Sequence, residues 1–152
     1  MFYNIEKRAK KEAEMAEKAE NDTRQEIIRI FRRYERLGLA REGLDPVRAY
    51  KRIEVVCASR RSKLEMLALY DTMRVLYLTG EDDVLCAIRE VYFGDPGHRI
   101  TASVISDRVL RCAISHYCDE RTVYRRLKKA RELYLRIRKN LESYQGEKWT
   151  ML

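Results

Sequence analysis

An all-α fold, a helical bundle with a C-terminal helix-turn-helix and a long last helix, is what this sequence predicts. Three observations predict it. Only 6 glycines and 2 prolines punctuate 152 residues, and apolar side chains recur at three- and four-residue steps. Helix-start signals also stand ahead of several apolar stretches. With 37% charged and 45% hydrophobic residues, long helices are favoured over a turn-rich all-β architecture. A chain of this length buries one modest core, with room for an appendage.

The elements follow in order. Residues 4–20 are rich in Ala, Glu and Lys, giving high helix propensity but little apolar face to bury, as expected of a protruding or partner-bound helix. Asn21-Asp22-Thr23 then reads as an interruption, and Thr23 with Glu26 matches a capping box that starts a fresh helix. Ile27, Ile30, Phe31, Tyr34 and Leu37 form its packing stripe, and Gly38 closes it. Asp45 before Pro46 is the next start, because a proline at the first helical position loses no needed N–H; helix is expected from 46 to about 58. Ser62 with Glu65 makes another capping box ahead of the most apolar stretch, which runs through Leu67, Tyr70 and Met73 to Leu78 and reads as the central core helix. Thr79-Gly80 ends it. Glu81-Asp82-Asp83 then favours the positive end of a short helix carrying Val84, Leu85, Ile88, Val91 and Tyr92. Gly94-Asp95-Pro96-Gly97 is the clearest linker.

After the linker, Val104, Ile105, Val109, Leu110, Cys112, Ala113 and Ile114 read as a helix of about three turns. The polar break His116-Tyr117-Cys118 follows, then Asp119 as N-cap and the basic run that begins Glu120-Arg121-Thr122-Val123. Val123, Leu127, Ala130 and Tyr134, at steps of four, three and four, would anchor this second helix on the first and leave its opposite face free. That face holds Arg121, Thr122, Arg125 and Lys128 or Lys129, side chains that reach base edges and phosphates in a major groove. The helix is expected to continue past Ile137 and Leu141 and to pack against the body or a second subunit.

Charge points the same way. The formal charge is +8, and its distribution is uneven: residues 1–98 hold 19 Lys and Arg against 18 Asp and Glu, residues 99–152 hold 13 against 6. A basic segment on a neutral body is what counterion release from phosphates requires of a nucleic-acid-binding module.

The run DERTVYRRLKKARELYLRIRKNL, with Glu120-Arg121-Thr122-Val123-Tyr124 followed by Leu127, Lys128 and Ala130 at its centre, resembles the end of phage late-gene transcription regulators of the RinA and ArpU type. More loosely it is similar to region 4 of sigma factors. The resemblance covers roughly residues 99–142. It implies that the second helix enters the major groove, with base or backbone contacts from Arg121, Thr122, Arg125 and Lys128. The turn Ser115-His116-Tyr117-Cys118 departs from the pattern in having no glycine.

Other chemistry is weakly represented. His116, Cys118 and Cys112 with distant His98 match no standard zinc spacing, so no metal or other cofactor is expected. Cys118 lies beside a helix N-terminus, which favours thiolate, but a small buried hydrophobe at the turn is the simpler reading. Cys57, Cys86, Cys112 and Cys118 form no CxxC pair, as expected of reduced thiols. Tyr34, Tyr70, Tyr77, Tyr92, Tyr124 and Tyr134 sit on apolar stripes and read as core rather than base-stacking platforms. Arg60, Arg61 and Lys63 form a second basic spot. No nucleophile, phosphate loop or paired catalytic carboxylates stand out, so an enzyme is not expected. No apolar run reaches the roughly 18 to 20 residues of a membrane span and the start lacks a signal-peptide stretch, so a cytoplasmic protein without membrane contact is expected.

The organisation expected is thus a charged N-terminal helix over 1–22, a helical support and oligomerisation region over 23–94, and a DNA-binding region over 99–145. The expected function is a phage-type transcriptional regulator that binds double-stranded DNA as a homo-oligomer, with RNA polymerase as the further partner such a regulator implies. Arg121, Thr122 and Arg125 would discriminate bases; Arg126 and Lys129, with Arg131 and Arg138, would meet phosphates, and Lys128 would, as the resemblance implies, contact bases or backbone. The alternative is a helical interaction protein, or a phage packaging or structural protein, without DNA-binding activity.

Overall fold

The computed structural model describes residues 2–41, 43, 45–94 and 101–150. Among them lie six α-helices and no strand: α1 Phe2–Arg36, α2 Pro46–Val56, α3 Arg60–Leu78, α4 Asp82–Ala87, α5 Ala102–Ser115 and α6 Glu120–Thr150. A 3-10 turn follows α1 at Leu39–Arg41, and a π turn, Ile88–Tyr92, prolongs α4. The all-α expectation holds. The Asp95-Pro96-Gly97 part of the expected linker lies outside the described residues.

The expected break at Asn21-Asp22-Thr23 is not there. The Thr23 hydroxyl donates back to the Ala19 carbonyl at 3.0 Å, inside one continuous helix, instead of capping a new one. With no glycine or proline nearby, nothing stops the Ala- and Glu-rich run from propagating through three polar residues. What changes near residue 26 is burial: every side chain from Tyr3 to Glu26 is exposed, whereas Ile27, Ile28, Ile30, Phe31 and Tyr34 are buried.

Asp45 caps α2 as expected, accepting from the Val47 N–H at 3.1 Å with Pro46 in the first turn. The start of α3 is a correction. Ser59, not Ser62, is its N-cap, and the Ser59 hydroxyl accepts from the Ser62 N–H at 3.0 Å. Glu65 is therefore free of capping and turns inward, where it is 3% exposed. Three guanidinium groups meet its carboxylate: Arg33 from α1 at 3.0 Å, Arg61 from its own helix at 3.1 Å and Arg138 from α6 at 3.7 Å. The core role of α3 also stops short of its end, since Val75, Tyr77 and Leu78 are exposed.

A single continuous core joins residues 27–93 to residues 109–134. Phe31 is near its centre, edge-on to Tyr92 at 5.1 Å and to Tyr134 at 6.2 Å, while Tyr34 stacks on Phe93 at 5.9 Å. Of the tyrosines expected inside, Tyr34, Tyr70, Tyr92 and Tyr134 are buried; Tyr77 and Tyr124 are exposed. Val123, Leu127, Ala130 and Tyr134 are each no more than 1% exposed, so the four-three-four stripe of α6 packs as its spacing requires. Each large member contributes about 1.5 to 3 kcal/mol by leaving water. The contact of α6 with α3 is the most extensive between any two elements, and its contacts with α4 and α5 follow. The C-terminal pair of helices is thereby built into the body.

Candidate nucleic-acid interface

The turn between α5 and α6 shows how this sequence makes a tight corner without glycine. The Cys118 N–H donates to the Ala113 carbonyl at 3.0 Å and the Tyr117 N–H to the Ile114 carbonyl at 3.4 Å. These are the two bonds of a Schellman motif, which needs a left-handed residue between them. Tyr117 supplies it, at φ 53°, with its side chain 98% exposed. Left-handed backbone costs an L residue roughly 1 kcal/mol, partly matched by the entropy that glycine loses on folding. Tyr117→Gly should therefore stabilise the protein by about 0.5 kcal/mol. Urea denaturation would show it, and a destabilised variant would mean that the entropy glycine loses on folding exceeds the cost of left-handed backbone at Tyr117.

Asp119 then starts α6. Its Oδ1 accepts the Thr122 N–H at 2.7 Å and the Thr122 hydroxyl at 2.6 Å. These bonds, with smaller help from Arg121 and Arg125, hold its carboxyl below the usual carboxylate range. A depressed folded pKa means stability that is present above the unfolded value, about 3.9, and is lost as the pH falls through the folded value. Asparagine caps as well but carries no charge. The stability difference between wild type and Asp119→Asn should thus shrink on acidification below about pH 4. Parallel pH curves would show that the carboxylate charge at this cap is not what the acid removes.

Beyond the cap, the six residues expected to contact DNA divide between two sides of α6. On one side, Arg126 is drawn to Asp83 at 3.6 Å and donates to the Cys118 thiol sulfur at 3.8 Å, and Lys129 pairs with Glu81. Glu81 and Asp83 belong to the acidic cluster that begins α4, so these two cations help fasten α6 to α4. Thr122 is half-buried with its hydroxyl given to Asp119. Two other residues expected at phosphates are also engaged internally: Arg138 at Glu65 and Glu142, and Arg131 with the Tyr92 hydroxyl at 2.6 Å. In the second basic spot, Arg61 pairs with Glu26 and Glu65, and Lys63 with Glu54.

Arg121, Arg125 and Lys128 face the other way. They line a cleft of about 600 Å³ between α6, the start of α5 and the middle of α1. Arg24 faces them from α1 and Arg131 from α6, above a floor of Ile28, Ile105 and Leu127. Among the described residues, no acidic one lines it. Among the described residues only Lys128 of the five cations has a carboxylate within ion-pair reach, Glu132 at 4.0 Å on its own helix. Tyr124, 44% exposed, stands at the edge. Sequence reasoning missed Arg24, which has no local signal: it joins the site because α1 continues through the expected break. Five cations, one of them with a carboxylate within ion-pair reach, over an apolar floor make an anion site, and four of them at three- and four-residue steps along one helix suit a run of phosphates.

The histidine and cysteines of the turn assemble differently from the zinc arrangement weighed above. His116 Nε2 lies 2.9 Å from Glu90 Oε1, and the donor atoms of Glu90, Cys112 and His116 lie within 4.8 Å of one another. His98 is outside the described residues. Burial, with the bond to Glu90 and its charge, pushes the Cys112 thiol up to about 12. Burial would raise the Glu90 carboxyl, but hydrogen bonds from Cys112 and His116 outweigh it and hold the carboxyl low. Cys112 and His116 both turn to the Glu90 carboxylate, which fastens the end of α5 to the π turn. The four cysteines are free thiols, Cys57 and Cys112 buried, Cys86 and Cys118 half-buried.

Among the described residues, no helix is long and apolar enough to cross a membrane. Compared with known proteins, the chain matches no family model, and no curated protein or solved structure matches it significantly.

Proposed function

We propose that this protein binds duplex DNA through the first three turns of α6 and the cleft they share with α1, and that it acts as a transcriptional regulator of the phage late-gene type. The observation that carries the reading is the cleft itself, where Arg24, Arg121, Arg125, Lys128 and Arg131 converge with no lining carboxylate among the described residues. Phosphates entering it would release condensed counterions, which is the main driving force for non-specific binding to DNA. Arg121 and Arg125, near the start of α6, are the side chains placed to go on to base edges. Thr122 contributes by fixing the cap, and Arg126 and Lys129 by holding α6 on α4. The regulatory role rests on the resemblance around Glu120–Ala130.

The test is titration of the protein into a labelled mixed-sequence duplex at about 50 and 200 mM salt, followed by selection from a random-sequence pool. Binding that weakens steeply with salt, and a consensus recovered from the pool, are the results expected. No binding at the lower salt would overturn the reading and leave the cleft as a surface for an acidic protein partner. Binding without a recovered consensus would remove the regulator and keep the DNA.

A further inference from the structure

The first 24 residues with described side chains, Tyr3 to Glu26, form an α-helical arm of about 36 Å with no buried side chain. Among the described residues its one ion pair to the body is Glu26 with Arg61, at the arm's root. The face that α1 buries through Ile27, Ile30, Phe31 and Tyr34 does not end there. At continued steps of three and four it passes Thr23 and Ala19, which line an open crevice beside α6, and runs outward through Ala16, Ala13, Ala9 and Ile5, uncovered. Tyr3, Ile5 and Met15 add exposed apolar surface, each more than 60% exposed. A lone helix of this kind gains little from propensity and most from a partner on such a face.

Charge identifies the partner. Residues 3–11 carry a net +3, from Lys7, Arg8, Lys10 and Lys11 against Glu6, whereas residues 12–26 carry a net −4. Nucleic acid would be attracted by the first stretch and repelled by the longer second one. A second copy laid antiparallel complements both: the basic half of each arm meets the acidic half of the other, twice, about a two-fold axis. Parallel pairing would set like charge against like. The division between the halves, at Lys11 and Glu12, falls among Ala9, Ala13 and Ala16, whose small side chains let two helices approach closely at the axis.

We infer that two copies of this chain associate through antiparallel pairing of their α1 arms. This rests on the arm alone and is independent of the DNA reading; if both hold, the dimer carries two clefts and engages two half-sites.

Sedimentation equilibrium of the full chain tests it in low and high salt. Wild type should show a dimer that weakens as salt rises, because the pairing is an attraction between opposite charges. Lys7→Glu/Lys10→Glu/Lys11→Glu makes the arm wholly acidic in balance, and Glu14→Lys/Glu17→Lys/Glu20→Lys makes it basic. Each variant alone should be monomeric, and a one-to-one mixture should recover a dimer containing one of each. Recovery on mixing shows that both variants are folded, so loss of self-association cannot be put down to unfolding. Three results would overturn the inference: a monomeric wild type, triple variants that dimerise as wild type does, or a dimer that strengthens with salt, which means like halves face each other.

Discussion

Glu65→Ala should destabilise the protein by about 3 kcal/mol, a large part of the 5 to 15 kcal/mol expected for a domain. The carboxylate is buried and meets guanidinium groups from α1, α3 and α6. Removing one partner of a buried pair leaves the other charge uncompensated, which costs more than the pair itself contributed. The three arginines would not suffer equally. The Arg33 and Arg61 side chains are 44% and 70% exposed and can turn to water, whereas Arg138 is 19% exposed, stays partly enclosed and keeps only the half-exposed Glu142, at 3.1 Å, as a carboxylate partner. Beside it lies the fully buried Tyr134 hydroxyl, without a hydrogen-bond partner of good geometry; burial pushes its pKa up to about 12 against the pull of Arg138. The cost is therefore placed at the low end of the range for buried pairs, and most of it at Arg138. Arg61→Ala, at the exposed rim, should cost under about 1 kcal/mol. Urea midpoints of the two variants measure the contrast; equal, small losses would show that Arg138 reaches water without Glu65.

The same residue shows why parts of this fold were legible in the sequence and others were not. Asp45-Pro46 and the stripe from Val123 to Tyr134 depend on neighbours within a turn or two, and both stand as read. Ser62 with Glu65 fits a local capping pattern equally well, but Glu65 is claimed by Arg33 and Arg138, which lie 32 and 73 positions away. Thr23 with Glu26 fails for a different reason. A capping box starts a helix only where the preceding one has stopped, and nothing in the Ala- and Glu-rich run before it stops one. The left-handed Tyr117 was invisible because a tyrosine carries no signal for that conformation, although the missing glycine marked the place.

Within α6, periodicity separates buried from exposed positions but not one exposed side from the other. Arg125 and Arg126 are adjacent and chemically alike. Which of them is free depends on where α4 docks, because Asp83 reaches only Arg126 and Glu81 only Lys129. The sequence assigns all of them to the duplex, Arg125 to bases and Arg126 and Lys129 to phosphates; the packing of α4 turns the last two to carboxylates instead.

That division makes the second large prediction. On a mixed-sequence duplex, where both guanidinium groups rest on phosphates rather than on base edges, Arg121→Ala/Arg125→Ala should weaken binding about 60-fold at 0.1 M salt, since each phosphate contact adds about 0.9 to the slope of log affinity against log salt, or roughly eightfold at that concentration. The slope itself should fall by about 2. Arg24→Ala, across the cleft, should remove about one unit of slope without altering which sequence is preferred, because a phosphate contact carries no base information. Arg126→Ala/Lys129→Ala removes the same formal charge from the same helix, yet should leave the slope within about half a unit of wild type and register mainly as lower stability, since those cations are held by Asp83 and Glu81. Fluorescence anisotropy across a salt series compares the pairs directly. If the two double variants lose slope equally, net charge rather than the cleft governs binding. If Arg126→Ala/Lys129→Ala loses more, duplex DNA lies on the α4 side of the helix and displaces the acidic cluster there.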